Sequence, residues 1–184
     1  MEWLLKFDQD AFRAIHVGLS NPVLDIVMLV ISSSGLGWIQ GLLSLFLLRW
    51  DSTKYYVLPL LTTIIVSGLP MAQGIKRLVP RDRPSNLSYA LPHETFYASS
   101  FPSGHTTTSF AVATMLVLMT YRSKNAWIGQ VALVWASLVG ISRVYRGIHW
   151  PTDVIAGAFI GVFTGCLVYL ILKRLGNQLH LEDQ

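Results

Sequence analysis

Charge and cysteine are both scarce in this chain. Charged residues make up 13% of its 184 positions, about half the ~25% of an ordinary soluble domain. Hydrophobic residues make up 52% and mean hydropathy is +0.48. That balance excludes a water-soluble globule and leaves an integral membrane protein. The single cysteine, Cys166, rules out an intrachain disulfide. No His-Glu-x-x-His or clustered-carboxylate run occurs, so the common patterns of metal hydrolases are missing. A Gly-x-Ser-x-Gly elbow is also missing, which weakens any serine-hydrolase reading of Ser103. Glu2, Asp8 and Asp10 interrupt the first residues, so no cleavable leader is expected and insertion relies on the spans themselves. The net charge of +4 comes from basic residues scattered at the ends of apolar runs. These flank a membrane and are no nucleic-acid surface.

What is present is a series of apolar runs with breaks between them. Trp3, Leu4, Phe7, Ala11 and Ile15 recur at helical spacing, with Lys6, Asp10 and Arg13 on other faces. This pattern predicts a short amphipathic helix lying at the interface, with His16 an interfacial histidine. Asn21-Pro22 ends it. Segments 22–35 and 37–50 are each shorter than the ~20 residues of a span and are divided by Ser32-Ser33-Ser34-Gly35. Spans are expected over 55–75, with Pro59 and Pro70 as kink sites, then 105–121, 126–141 and from 151 to just before Lys173.

Reading 22–50 as two spans gives six, with the N-terminus inside. The inner face then holds Lys6, Arg13, Arg49, Lys54, Arg122, Lys124, Lys173 and Arg174, and the outer face holds Lys76, Arg77, Arg81, Arg83, Arg143 and Arg146. All the outer charges fall in unusual stretches, so the remainder obeys the positive-inside rule. The expected fold is therefore an all-α integral membrane protein with six transmembrane helices and a short N-terminal amphipathic interfacial helix. It forms one membrane domain over 1–184, with 1–20 as the interfacial helix, 76–105 and 142–153 as active-site segments and 174–184 as a polar tail.

Three stretches place charge where it is costly, at about 2.5–3.5 kcal/mol per residue at a helix centre. They are Lys-Arg-Leu-Val-Pro-Arg-Asp-Arg-Pro at 76–84, Phe-Pro-Ser-Gly-His at 101–105, and Ser-Arg-Val-Tyr-Arg-Gly-Ile-His-Trp-Pro-Thr-Asp at 142–153. The connections after the third and fifth spans necessarily share a face, so the three stretches can meet. Lys76, Arg83 and Arg143 together would cradle a dianionic phosphate. Arg77, Arg81 and Arg146 are read as ordinary juxtamembrane arginines. Ser103 and Gly104 open a helix whose free N–H groups suit an anion. His149 and Asp153 stand one helical turn apart, which lets the carboxylate fix one imidazole nitrogen and leave the other to attack. His105 would serve as a proton donor. Residues 85–101, with Tyr89, His93, Glu94, Phe96 and Tyr97, would cover the site and help select substrate.

Lys76-x6-Arg83-Pro84, Pro102-Ser103-Gly104-His105 and Ser142-Arg143-x5-His149-x3-Asp153 resemble, in order and spacing, the three-part signature of the type 2 phosphatidic acid phosphatase superfamily. The resemblance implies a metal-free, cofactor-free hydrolase of lipid phosphates or pyrophosphates working through a phosphohistidine. In it His149 is the nucleophile, Asp153 its orienting partner, and His105 the general acid and then base. Lys76, Arg83, Ser103, Gly104 and Arg143 hold the phosphoryl oxygens. Without a soluble domain, the chain looks most like small bacterial enzymes acting on undecaprenyl pyrophosphate at the outer face of the inner (cytoplasmic) membrane. Alternatives within the resemblance are phosphatidylglycerol phosphate, phosphatidic acid or lipid A 1-phosphate hydrolysis, or lipid-to-lipid phosphotransfer. The expected partners are the lipid substrate and the bilayer, with neither nucleic acid nor an obligate protein.

Overall fold

The computed structural model describes residues 2–92, 94 and 98–176. Among these, all regular structure is helical. The elements are α1 (Glu2–Phe12), α2 (Pro22–Ser34), α3 (Gly37–Phe46), α4 (Val57–Val66), α5 (Gly74–Leu78), α6 (Gly104–Thr120), α7 (Ala126–Tyr145) and α8 (Pro151–Gly176). Helix α1 runs on through a π-helical turn, Arg13–Val17, and α4 is joined to α5 by another, Ser67–Gln73. Three apolar helices are long enough to cross a membrane: Lys54–Leu78, Ala126–Tyr145 and Pro151–Gly176.

Local chemistry explains the boundaries. Asn21 caps α2, its side-chain oxygen accepting from the Leu24 N–H at 3.0 Å, and Pro22 fills the first helical position. Pro59 sits in the first turns of α4, where a lost donor costs little. Pro70, which cannot donate within the helix, lies inside the π-helical turn. Of the two expected kink sites, only Pro70 disturbs the helical ladder.

The centre of the molecule is α6, enclosed by α4, α7 and α8. Helix α8 approaches it along Gly157, Gly161 and Gly165, one per turn. A Cβ at these positions would sit 2.9 Å from the Ser103 carbonyl oxygen, 2.4 Å from that of Thr107 and 2.7 Å from that of Ala111. Only glycine permits backbones this close, and in a membrane close packing drives helix association. The contact brings the start of α6 against the start of α8, where the Ser103 N–H donates to the Asp153 carbonyl at 3.1 Å.

Helices α2 and α3 are not side by side. Helix α2 follows the last half of α7: Tyr145 donates to Asp25 at 2.7 Å and Trp135 to Ser34 at 2.9 Å. Helix α3 begins at mid-height, with Gly37 beside Ile64, and ends with Leu47 packed on the cluster of Tyr56, Leu60, Met115 and Val168 at the far end. The 13 residues of α2 span only about 20 Å against a ~30 Å hydrocarbon core. The expected spans over 22–35 and 37–50 correspond to two short helices broken at Gly35-Leu36, and neither α2 nor α3 by itself reaches the length of a span.

Helix α1 is present where the sequence places it, turned 116° from α2. Its protein-facing side differs from expectation. Asp8, Phe12 and His16, spaced by four, are buried, while Trp3, Leu4 and Phe7 are exposed. His16 is no interfacial histidine. Its Nε2 accepts from the Leu91 N–H at 3.0 Å, so Nδ1 carries the proton and donates to the Tyr145 carbonyl at 2.7 Å. Phe12 stacks on His16 and leans on Trp150.

Candidate active site

Four chain segments end together at the head of α6. Lys76 lies in the last turn of α5, and Arg83 on the connection that follows. Ser103, Gly104 and His105 open α6, Arg143 closes α7, His149 occupies the short link to α8, and Asp153 sits in the first turn of α8. That link turns sharply because Gly147 takes φ 77°, a left-handed conformation that ends helices. The Ile148 and His149 N–H groups then both reach back to the Arg143 carbonyl, at 3.2 and 3.3 Å. Arg143 and His149 are therefore fixed to each other through backbone.

Asp153 is fully buried and fully engaged. Its Oδ2 accepts from the Trp150 N–H at 2.9 Å, so the carboxylate caps its own helix, and it also accepts from the Ser100 hydroxyl. Its Oδ1 accepts from Arg81. His149 Nδ1 stands 3.6 Å from Oδ2, within charge range but beyond hydrogen-bond length. Burial holds the His149 imidazole far below its ordinary 6.5, down to about 3, with Arg143 and Lys76 pushing the same way and Asp153 opposing. The ring is neutral, as a nucleophile must be, and Nε2 is the nitrogen turned from Asp153.

Lys76 and Arg83 are anchored by backbone carbonyls, Arg143 by side chains. Lys76 Nζ donates to the carbonyls of Ser99 and Ser100 at 2.8 and 3.2 Å. Arg83 donates to Ala98, Ser99 and Ile148 at 2.8, 3.1 and 3.0 Å. Burial lowers the Arg83 pKa from the usual arginine range, against the pull of Asp153 and Glu94. Arg143, 1% exposed, donates to Ser32 Oγ at 2.5 Å and meets Glu94 at 3.4 Å. Glu94 also accepts from Arg146 at 2.6 Å. Burial alone would raise the Glu94 carboxyl, but the two arginines outweigh it and hold it below the usual range. His105, half-buried, lies within charge range of Arg143, His149 and Lys76.

Ser103 Oγ accepts from Thr106 at 2.8 Å, which leaves its own hydrogen to donate outward. At Gly104 the nearest atom to a notional Cβ is Ala72 Cβ at 3.9 Å. Neither packing nor backbone angle demands glycine there, so its absent side chain leaves the amide open to a ligand.

The structure thus brings together His149, His105, Asp153, Lys76, Arg83, Ser103, Gly104 and Arg143. Of the arginines read as ordinary, Arg77 is exposed, but Arg81 binds Asp153 and Arg146 binds Glu94. Asp8 and Ser100 also belong to the site's surroundings, outside the residues that the sequence motifs single out. The four-residue spacing of Asp8, Phe12 and His16 on one helix face was the available signal. Tyr89 stacks under Arg13, 5.8 Å from the ring centre, while His93, Phe96 and Tyr97 lie outside the described residues. Among the described residues, no three His, Cys, Asp or Glu side chains gather as ligands for a metal.

A model of the PAP2 superfamily matches residues 55–177. The lipid A 4'-phosphatase of Bacteroides thetaiotaomicron is 30% identical over 141 residues, which cover 73% of this chain and 61% of that protein, less than two thirds of its length. The undecaprenyl-diphosphatase of Sulfolobus acidocaldarius is 29% identical over 161 residues, 85% of this chain and 74% of that one. Among solved structures, Aquifex aeolicus LpxE superposes with a TM-score of 0.76 at 28% identity, over 88% of this chain and 94% of that chain.

Proposed function

The chain belongs to the PAP2 superfamily, and from that premise we propose that it is a metal-independent phosphatase of membrane lipid phosphates or pyrophosphates, working through a phosphohistidine. The observation that carries this reading is the junction at the head of α6. There a neutral His149 beside Asp153, a second histidine and three anchored cations converge on an amide left open at Gly104.

In the proposed reaction, Lys76, Arg83 and Arg143 take the phosphoryl oxygens with the Ser103 hydroxyl and the Gly104 N–H. Phosphate displaces Glu94 from Arg143. The His149 Nε2 lone pair attacks phosphorus, the bond from phosphorus to the lipid-side oxygen breaks, and His105 delivers the proton to that oxygen. Asp153 stabilises the positive ring that results. His105 then takes a proton from water, the oxygen attacks phosphorus, and the N–P bond breaks to release phosphate and restore His149.

The membrane arrangement that fits the contacts has five crossings in place of six: α2 with α3 as one broken crossing, then Lys54–Leu78, α6, α7 and α8. Helix α1 then lies on the site's own face, its exposed Trp3, Leu4 and Phe7 turned to the interface. The opposite face carries Arg49, Lys54, Arg122, Lys124, Lys173 and Arg174. Outside the site and its ion pairs, the site face carries only Lys6, Arg13 and Arg77. By the positive-inside rule this distribution supports a site on the outside, which we read as the outer face of a bacterial inner membrane.

The substrate favoured is undecaprenyl pyrophosphate, supported by the Sulfolobus relative, which aligns over most of both chains. A lipid A phosphate is the second reading, supported by the Bacteroides relative. Purified protein with EDTA would be offered undecaprenyl pyrophosphate, lipid A, phosphatidylglycerol phosphate and phosphatidic acid, with His149→Ala in parallel. Release that survives EDTA and disappears in the variant is expected, greatest for undecaprenyl pyrophosphate. Release that requires metal, or that persists in His149→Ala, would overturn the mechanism.

A further inference from the structure

The ion pair of Asp8 and Arg81 beside Asp153 is not used by any step above. Asp8 of α1 is 1% exposed. Its Oδ1 accepts the Thr152 N–H at 2.9 Å, capping α8 from another helix, and its Oδ2 accepts the Thr152 hydroxyl at 2.6 Å. The same Oδ2 pairs with Arg81, whose other nitrogen donates to Thr152 Oγ1 at 2.8 Å and to Asp153 Oδ1. Two carboxylates thus share one guanidinium, and Trp150 covers that guanidinium with its ring centre 5.8 Å away. Buried ion pairs contribute little net stability compared with apolar packing, so the group's placement one atom behind the catalytic carboxylate calls for a functional account.

We propose that Arg81 and Asp8 are positioning residues for the reaction. Arg81 anchors Oδ1 of Asp153 so that Oδ2 faces His149, and Asp8 neutralises Arg81 so that Asp153 keeps its full charge for the imidazole. The N-terminal helix is thereby part of the catalytic apparatus without touching substrate. This builds on the phosphohistidine reading, and it makes a prediction of opposite signs. Without Arg81, Asp153 is less neutralised, the charged His149 ring is favoured and its titration midpoint rises. Without the Asp8 charge, Arg81 draws wholly on Asp153, and the midpoint falls. His149 is faced by Asp153 from α8, Arg143 from α7, Lys76 from α5 and His105 from α6. Asp153 is faced by Arg81, Ser100 and Arg83 from the connection after α5. Apart from Arg81 itself, these groups are the same in every variant, so the direction of change belongs to the substituted pair.

The test is histidine-selective 15N NMR on the full chain in detergent, with the His149 signal assigned by its loss in His149→Gln. Wild type, Asp8→Asn, Arg81→Gln and Arg81→Lys would be titrated, and kcat and KM measured alongside. Asn at position 8 can still accept the Thr152 N–H, so that variant removes charge while keeping the helix cap. The midpoint should fall in Asp8→Asn, rise in Arg81→Gln and return toward wild type in Arg81→Lys. kcat should drop by about 10- to 100-fold in Asp8→Asn and Arg81→Gln, the range known for outer partners that orient the ligands of metal sites, with KM held. Unmoved midpoints, or midpoints moving the same way with a raised KM, would overturn the proposal. Opposite shifts in a wild type that hydrolyses no lipid phosphate would sustain the positioning and remove the phosphatase reading instead. If Arg81→Gln fails to fold, the sign of the Asp8→Asn shift decides.

Discussion

At the scale of single residues, the site depends on keeping a histidine uncharged among cations. Burial pushes the His149 pKa down to about 3, so lowering the pH from 8 toward 5 leaves the proposed nucleophile neutral. The acid limb of the pH–kcat/KM profile should accordingly lie well below the ordinary histidine value of 6.5. A limb centred at 6.5 would mean that the ring is solvated and the burial of the site is not as described. Glu94 offers a second check. Its carboxylate rests on Arg143 at 3.4 Å, so in the proposed reaction substrate competes with it for that guanidinium. Glu94→Gln removes a charge from that competition, and KM should fall about tenfold, equivalent to about 1.4 kcal/mol of binding. A rise in KM would show that Glu94 instead holds Arg143 and Arg146 in a binding posture.

At the scale of elements, the contact of α6 with α8 decides whether a site exists at all. Leucine at position 161 would put a side chain where even Cβ lies 2.4 Å from the Thr107 carbonyl. Gly161→Leu should destabilise the protein by about 1–3 kcal/mol or more, as overpacking does, and abolish phosphate release by parting Ser103 from Asp153. Thermal unfolding in detergent and activity would be read together. Gly41 provides the contrast. It sits inside α3 with nothing within 4 Å of a notional Cβ, so Gly41→Ala should raise stability by about 0.5–1 kcal/mol and leave the rate alone. If both variants behave alike, helix propensity rather than close approach governs this bundle.

At the scale of the whole molecule, the question is which ends share a side of the membrane. With Cys166→Ser as background, single cysteines at Gln9, Ser88 and Ser123 would meet an impermeant thiol reagent added to intact cells. All three positions are exposed. With five crossings and the site outside, the cysteines at 9 and 88 should be labelled and the one at 123 protected until the cells are opened. Protection at 9 with labelling at 88 would restore six crossings. Labelling at 123 alone would turn the site to the cytoplasm.

The sequence by itself determined the helical membrane character, apolar helices near 55–75, 105–121, 126–141 and from 151 to just before Lys173, and which residues to propose for the site. These were legible because apolar length and charge misplaced among apolar runs are local properties of the chain. Two arginines of the same polar stretch, Arg77 and Arg81, could not be told apart, since nothing in their neighbourhood names a partner 73 residues earlier than Arg81 in the chain, at Asp8. The depth of α2 and α3 was equally hidden. Two apolar segments of 13 residues or fewer satisfy hydropathy as two shallow spans or as one broken span, and only their neighbours distinguish the cases. Only the tertiary structure pairs Arg81 with Asp8 and sets α2 against α7 and α3 against α4, because a buried charge is placed by whatever folds against it and a short helix by the helices that leave room for it.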